Sequence, residues 1–195
     1  MTDQLLFEDR LQGTMDSDWQ WLREDPQGWR LKVDALNIRA LPGTLWGERN
    51  DARNILLRSA RPLTEGLSSE VTVRNAPEIQ GEQGGLIWYV DDANYVKLVK
   101  ECLDQSVWIV LAREEADQGT LVSRVSFTGE SAHIRLTVTG DTMVGEVLSE
   151  DGTTWQTVGT CERVPAERAQ LGICVHGGPD DEEHWAELSE FAIRG

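Results

Sequence analysis

Gly85-Leu-Ile-Trp-Tyr-Val90, Asp91-Asp-Ala-Asn94 and Tyr95-Val-Lys-Leu-Val-Lys-Glu101 follow one another without a break. Two runs rich in β-branched and aromatic residues flank a short Asp/Asn cluster. Asp and Asn tolerate turn geometry, and the runs alternate with period two, so the stretch predicts a β-hairpin. Val107-Trp-Ile-Val-Leu-Ala-Arg113 follows closely enough to add a third strand by meander. Its nearly unbroken apolar character predicts a central strand covered on both faces. Glu114 to Gly119 reads as a polar turn.

The same period extends outward. In His133-Ile-Arg-Leu-Thr-Val-Thr139, Ile134, Leu136 and Val138 share one face, and His133, Arg135, Thr137 and Thr139 share the other. Thr142 to Glu150 and Thr153 to Val158 flank Asp151-Gly152, a strong hairpin signal. Leu171 to Val175 and Ala186 to Ile193 are two further strands around an acidic Gly-Pro loop bracketed by His176 and His184. Earlier in the chain, Trp29 to Val33, Leu36 to Ala40, Asn54 to Arg58 and Leu67 to Arg74 are expected strands, and loop Leu41 to Ala52 exposes Trp46. Helical periodicity is absent beyond a single turn around Pro165. These patterns predict an all-β sandwich folded as one domain over residues 1–195.

Charge narrows the partners. With 34 acidic and 18 basic residues the formal net charge is −16, which repels phosphate backbones and anionic headgroups, so nucleic acid and membrane are not expected partners. No apolar run approaches the roughly 20 residues of a membrane span. The first ten residues carry Asp3, Glu8 and Asp9 in place of a basic and then apolar leader, which predicts a cytoplasmic protein. Cys102, Cys161 and Cys174 are odd in number and widely spaced within apolar patterns. They are expected to be free thiols packed as small apolar groups.

Several motifs taken together carry a family resemblance: Phe7-Glu-Asp9, Trp19-Gln-Trp-Leu-Arg23, Trp29-Arg-Leu31, Gly84-Gly-Leu-Ile-Trp-Tyr89 with Asn94-Tyr-Val96, Leu148-Ser-Glu-Asp-Gly152 with Trp155, and Ala186-Glu-Leu-Ser-Glu-Phe191. In order and spacing they resemble the concanavalin A-like domain at the C-terminus of bacterial β-xylosidases and the related regulation-of-enolase family (domain of unknown function 1349). The resemblance implies a concanavalin A-like, two-sheet antiparallel jelly-roll sandwich with first and last strands close together. The five-bladed catalytic propeller of the β-xylosidases has no counterpart in these 195 residues, so xylosidase activity is not carried over.

Aromatic residues are the strongest functional signal, because sugar rings offer apolar C–H faces to Trp and Tyr while neighbouring polar groups bind hydroxyls. Trp88, Tyr89, Tyr95 and Trp108 lie on consecutive strands, and Lys97 and Glu101 share a face with Tyr95. Alternation allows only one of Trp88 and Tyr89 to face a groove and leaves open which. With Arg58 as an added cation, the expected ligand site is Trp88, Tyr89, Tyr95, Lys97, Trp108 and Arg58. The leading expectation is a non-catalytic carbohydrate-binding module. Its rivals are a protein-interaction or regulatory module and a glycoside hydrolase. The hydrolase would use Glu146 and Glu150, whose i, i+4 spacing matches concanavalin-like glucanases, but Leu148 stands where those enzymes have a third carboxylate. No cofactor is required. A structural calcium ion is expected, if anywhere, near the terminal strands at Glu8, Asp9 and Glu187.

Overall fold

The computed structural model describes residues 4–59, 66–164 and 169–195. The turn expected around Pro165 lies outside the described residues. In chain order the strands are β1 (Leu5–Asp9), β2 (Gln20–Leu22), β3 (Trp29–Leu31), β4 (Leu36–Arg39), β5 (Ile55–Ser59), β6 (Ser68–Arg74), β7 (Gln83–Asp91), β8 (Asn94–Leu103), β9 (Ser106–Glu115), β10 (Gln118–Ser126), β11 (Ser131–Thr139), β12 (Thr142–Leu148), β13 (Trp155–Glu162), β14 (Gln170–His176) and β15 (Trp185–Arg194). No helix occurs among the described residues.

Two antiparallel sheets result, as the alternating sequence predicts. One runs β13-β12-β11-β6-β15-β4-β3, with β1 also on β15, and the other runs β10-β9-β8-β7-β14-β5-β2. Strand β15 is long enough to take two partners along one edge: Trp185 to Leu188 pair with β4, and Phe191 to Arg194 pair with β1. First and last strands are therefore neighbours, as expected for this jelly roll.

Parity sorts the side chains. Leu86 and Trp88 of β7, Val96 and Leu98 of β8, and Ile109 and Leu111 of β9 point between the sheets. They meet Val71, Val73, Ile134, Leu136, Val138 and Leu188 of the opposite layer. The alternate positions, Ile87, Tyr89, Tyr95, Val99, Val110, Ala112 and Cys174, lie on the outer face of the seven-stranded sheet. They would be wet in a simple sandwich. Here Leu45 and Ala52, from the loop between β4 and β5, cover part of that face and make a second apolar cluster. This is why β8 is buried on both sides along almost its whole length.

Two expectations are revised. The polar turn after β9 is only Ala116-Asp117, both at positive φ (51° and 61°), and the chain returns at once as edge strand β10. Its residues are largely exposed and its register slips between Leu121 and Ser123, so no alternating apolar signal marks it. The β12–β13 connection is also longer than a two-residue turn. Asp151 accepts hydrogen bonds from Ser149 Oγ (2.6 Å), Thr153 N (3.0 Å) and Thr153 Oγ1 (2.7 Å), which takes these residues out of the ladder and ends β12 at Leu148.

The three cysteines are free, with Cys102 and Cys174 buried. Burial pushes the Cys174 thiol up to about 12, so it packs as a small apolar group.

Candidate functional site

The loop that covers one end of the outer sheet face leaves the other end open. Tyr95 fixes the boundary: its hydroxyl lies 2.8 Å from both Leu45 O and Glu114 Oε2, and Gly47 N donates to the same Glu114 oxygen at 3.1 Å. Burial and the Glu114 carboxylate push the phenol well above its ordinary range, which keeps it a donor. Within the loop, Thr44 N donates to Asp51 Oδ1 (2.8 Å) and Trp46 N to Thr44 Oγ1 (2.9 Å). The loop is thus held at both ends of its arc, and Trp46 is carried out over the sheet.

Beside it opens a groove of about 490 Å³. Its floor is Gln83, Lys97, Glu101, Val110 and Ala112, and Trp46, Leu121 and the Gly177-Gly178 turn stand around it. Register explains the floor: Gln83 is opposite Glu101, and Lys97 is opposite Ala112. Lys97 Nζ donates to Gln83 Oε1 at 2.7 Å. Gln83 Nε2 donates to Glu101 Oε1 at 3.2 Å and to Gly81 O at 2.9 Å. A cation, an amide and a carboxyl group therefore form one chain along the floor, the amide accepting from the lysine and donating to the glutamate. Burial pushes the Glu101 carboxyl above its ordinary value, and the Lys97 charge works against that rise. Trp46 is 39% exposed, with its ring centroid 5.3 Å from Lys97 Nζ.

The residues expected from sequence fall in five places. Lys97 lines the groove. Tyr89 and Tyr95 share its sheet face but lie under the covering loop, with Tyr89 Oη donating to Asp92 Oδ1 at 2.8 Å. Trp88 is wholly buried between the sheets, so its ring has no face for a ligand. Trp108 is half-buried against the second cluster and donates to Leu103 O at 3.0 Å, with the Arg124 guanidinium 4.3 Å from its ring. Arg58 belongs to a separate cleft, where it lies 3.5 Å over the Phe7 ring and pairs with Asp16 at 2.7 Å.

The three carboxylates expected to hold calcium do not converge. Both Asp9 oxygens accept N–H bonds, from Leu11 N (2.8 Å), Asp16 N (2.9 Å) and Trp19 Nε1 (2.9 Å). Asp9 thus organises the turn after β1 rather than offering free ligand atoms. Glu8 and Asp9 stand opposite Ala192 and Phe191, so Glu187 is roughly 13 Å further along β15, with Arg74 at 4.0 Å. Among the described residues no group of three or more His, Cys, Asp or Glu is placed to hold a metal ion.

The carboxylates considered for hydrolysis also separate. Glu146 is bound to Arg135 at 2.8 and 2.9 Å on the outer face of the other sheet, and Glu150 lies past the end of β12. In the groove, Glu101 is the one carboxylate among the lining residues, whereas the common glycosidase mechanism needs two.

Gln83 is the groove residue that the sequence reading does not name; Trp46 stands there as an exposed loop aromatic outside the expected ligand set, and Glu101 as a face-mate of Tyr95 and Lys97. Gln83 was within reach of the sequence, since extending the β7 alternation by two residues places it on the face of Ile87 and Tyr89. For Trp46 the sequence shows exposure but not placement over the β8 face, because a loop has no period.

Comparison with known proteins places the chain. Residues 21–195 match the family described as a protein of unknown function, DUF1349. The chain belongs to the DUF1349 family. No curated protein sequence matches it. Solved structures share the fold of this DUF1349 chain. The GH43 BlXynB protein from Bacillus licheniformis superposes with a TM-score of 0.84 at 18% identity, covering 96% of this chain and 39% of that one. A xylan beta-1,4-xylosidase from Bacillus halodurans gives 0.82 at 16% identity, again 96% and 39%. A functionally unknown protein from Saccharomyces cerevisiae gives 0.72 at 17% identity, covering 95% and 97%. The chain therefore spans about two fifths of those two bacterial proteins and nearly all of the yeast one. At such identities the likeness establishes the fold.

Proposed function

We propose that the groove beside Trp46 binds a carbohydrate-like, multiply hydroxylated ligand without transforming it. The carrying observation is the juxtaposition of a partly exposed indole with the buried Lys97–Gln83–Glu101 chain. An apolar ring face suits the C–H face of a sugar, and a row of donors and acceptors suits its hydroxyls. The bacterial proteins of the same fold include one named as a xylosidase, which is consistent with a saccharide ligand. One exposed aromatic ring and a short polar row support weak binding, with a dissociation constant on the order of 1 mM.

The test is a titration of xylose, glucose and xylo-oligosaccharides followed by heteronuclear NMR, on the natural protein and on Trp46→Ala and Gln83→Ala. Binding that shifts Trp46 indole and β8 amide resonances, and weakens about fivefold or more in Trp46→Ala, supports the proposal. Absence of any saturable shift at several tens of millimolar sugar overturns it.

A further inference from the structure

Strand β8 carries two buried lysines, and their ammonium groups are satisfied to different extents. Lys100, 2% exposed, donates to Asn75 O (2.7 Å), Gly129 O (3.0 Å) and Glu130 O (2.7 Å). Its three N–H groups meet three carbonyls. Lys97, three residues earlier and on the opposite face, is 3% exposed. It donates to one neutral acceptor, Gln83 Oε1, and otherwise faces the rings of Trp46 (5.3 Å) and Tyr95 (6.0 Å). No carboxylate among the described residues lies within 4.0 Å of it. Lysine is seldom buried to this degree without a paired charge.

The other charges of the groove are engaged. Arg49 at the rim is bound to Asp51, with Nε at 3.0 Å and a terminal nitrogen at 2.9 Å. Glu101 has one oxygen taken by Gln83. An occupant therefore meets a single buried cation with unused N–H donors, next to an indole face.

We infer that the preferred occupant is a sugar acid, its carboxylate on the Lys97 ammonium and its ring against Trp46. This rests on the carbohydrate reading of the groove and names the class of sugar. A monoanion matches the one available cation. A phosphate brings a second negative charge towards Glu101, which is tied to the same lysine through Gln83.

The experiment compares glucuronate and galacturonate with glucose, galactose and glucose 6-phosphate by NMR titration at constant ionic strength, on the natural protein and on Lys97→Gln. The uronates are expected to bind about tenfold more tightly than their neutral counterparts. In Lys97→Gln that preference is lost. Should this variant fail to fold by far-ultraviolet circular dichroism, the second readout uses the natural protein alone: methyl glucuronate, which keeps the ring and carries no charge, is expected to bind no more tightly than glucose, and binding equal to that of glucuronate overturns the carboxylate assignment. Neutral sugars that bind as well as uronates overturn the inference while leaving the carbohydrate reading standing. Tighter binding of glucose 6-phosphate than of glucuronate overturns the carboxylate assignment. If no sugar of any kind binds, both readings fall.

Discussion

The indole of Trp46 lies so close to Gly119 that a Cβ built on residue 119 would stand 2.5 Å from Trp46 Cε2. The glycine of an edge strand thus makes the seat on which the loop aromatic rests at the groove. Lys97 Nζ approaches the same ring, so the position of the indole and the shape of the groove are set together.

Gly119→Ala tests that coupling. The added methyl must displace the ring, which is 39% exposed and carried on a loop, so it can move. The fold should survive, with a stability change within about 1 kcal/mol, while affinity for the groove ligand falls about fivefold. Urea denaturation and the sugar titration, run on the same sample, read the two effects separately. Unchanged affinity would show that the Trp46 position does not matter.

Asp9 is expected to matter for stability and not for binding. Asp9→Ala removes the acceptor for three N–H groups around a buried carboxylate. It also frees Trp19 from its anchor beside Phe191, whose ring centroid is 4.9 Å away. Loss of hydrogen bonds to a charged group and exposure of orphaned donors should destabilise the fold by about 2–4 kcal/mol. The urea midpoint measures this. Added calcium should not move the midpoint of the natural protein, because the Asp9 oxygens are already occupied.

Trp88 and Trp46 should behave as opposites. Trp88→Ala opens a cavity between the sheets and should cost about 3–5 kcal/mol, with ligand affinity of the folded fraction unchanged. Trp46→Ala should weaken binding and leave the unfolding midpoint nearly where it was. Parallel denaturation and titration of the two variants decide the assignment of core and groove.

His184 gives the fold a pH dependence. Its Nδ1 lies 3.0 Å from both oxygens of Glu82, and this hydrogen bond raises the imidazole above its ordinary value of 6.5. The folded state thus holds the proton more tightly than the unfolded chain. The resulting stabilisation is fully present below pH 6.5 and is lost as pH rises through the raised value. Urea midpoints of the natural protein and of His184→Gln, measured from about pH 5 to 9, should differ most at the acid end and converge as pH rises through the raised value; His176 and Lys100, held below their ordinary values by burial, bend both curves alike.

Much of this architecture can be read from alternation alone. The β7–β8 hairpin is set by two period-two runs around Asp91 to Asn94, and the common face of Tyr95, Lys97 and Glu101 follows from parity. Strand β10 escapes such reading, because an exposed edge strand with a register slip carries no apolar alternation. So does the choice between Trp88 and Tyr89. Both side chains are large and apolar on one face each, and only the packing of the opposite sheet decides which face becomes the interior.

Residue order dictates that this chain forms strands, which residues share a face, and that the strands assemble into a two-layer antiparallel sandwich. Period two is a local property, written in residues that are neighbours along the chain. Tertiary structure alone decided which stretch of the outer face is covered and which is left open as a groove. That depends on contacts such as Tyr95 with Leu45, 50 residues apart, and Trp46 with Gly119. No short-range pattern encodes contacts of that kind.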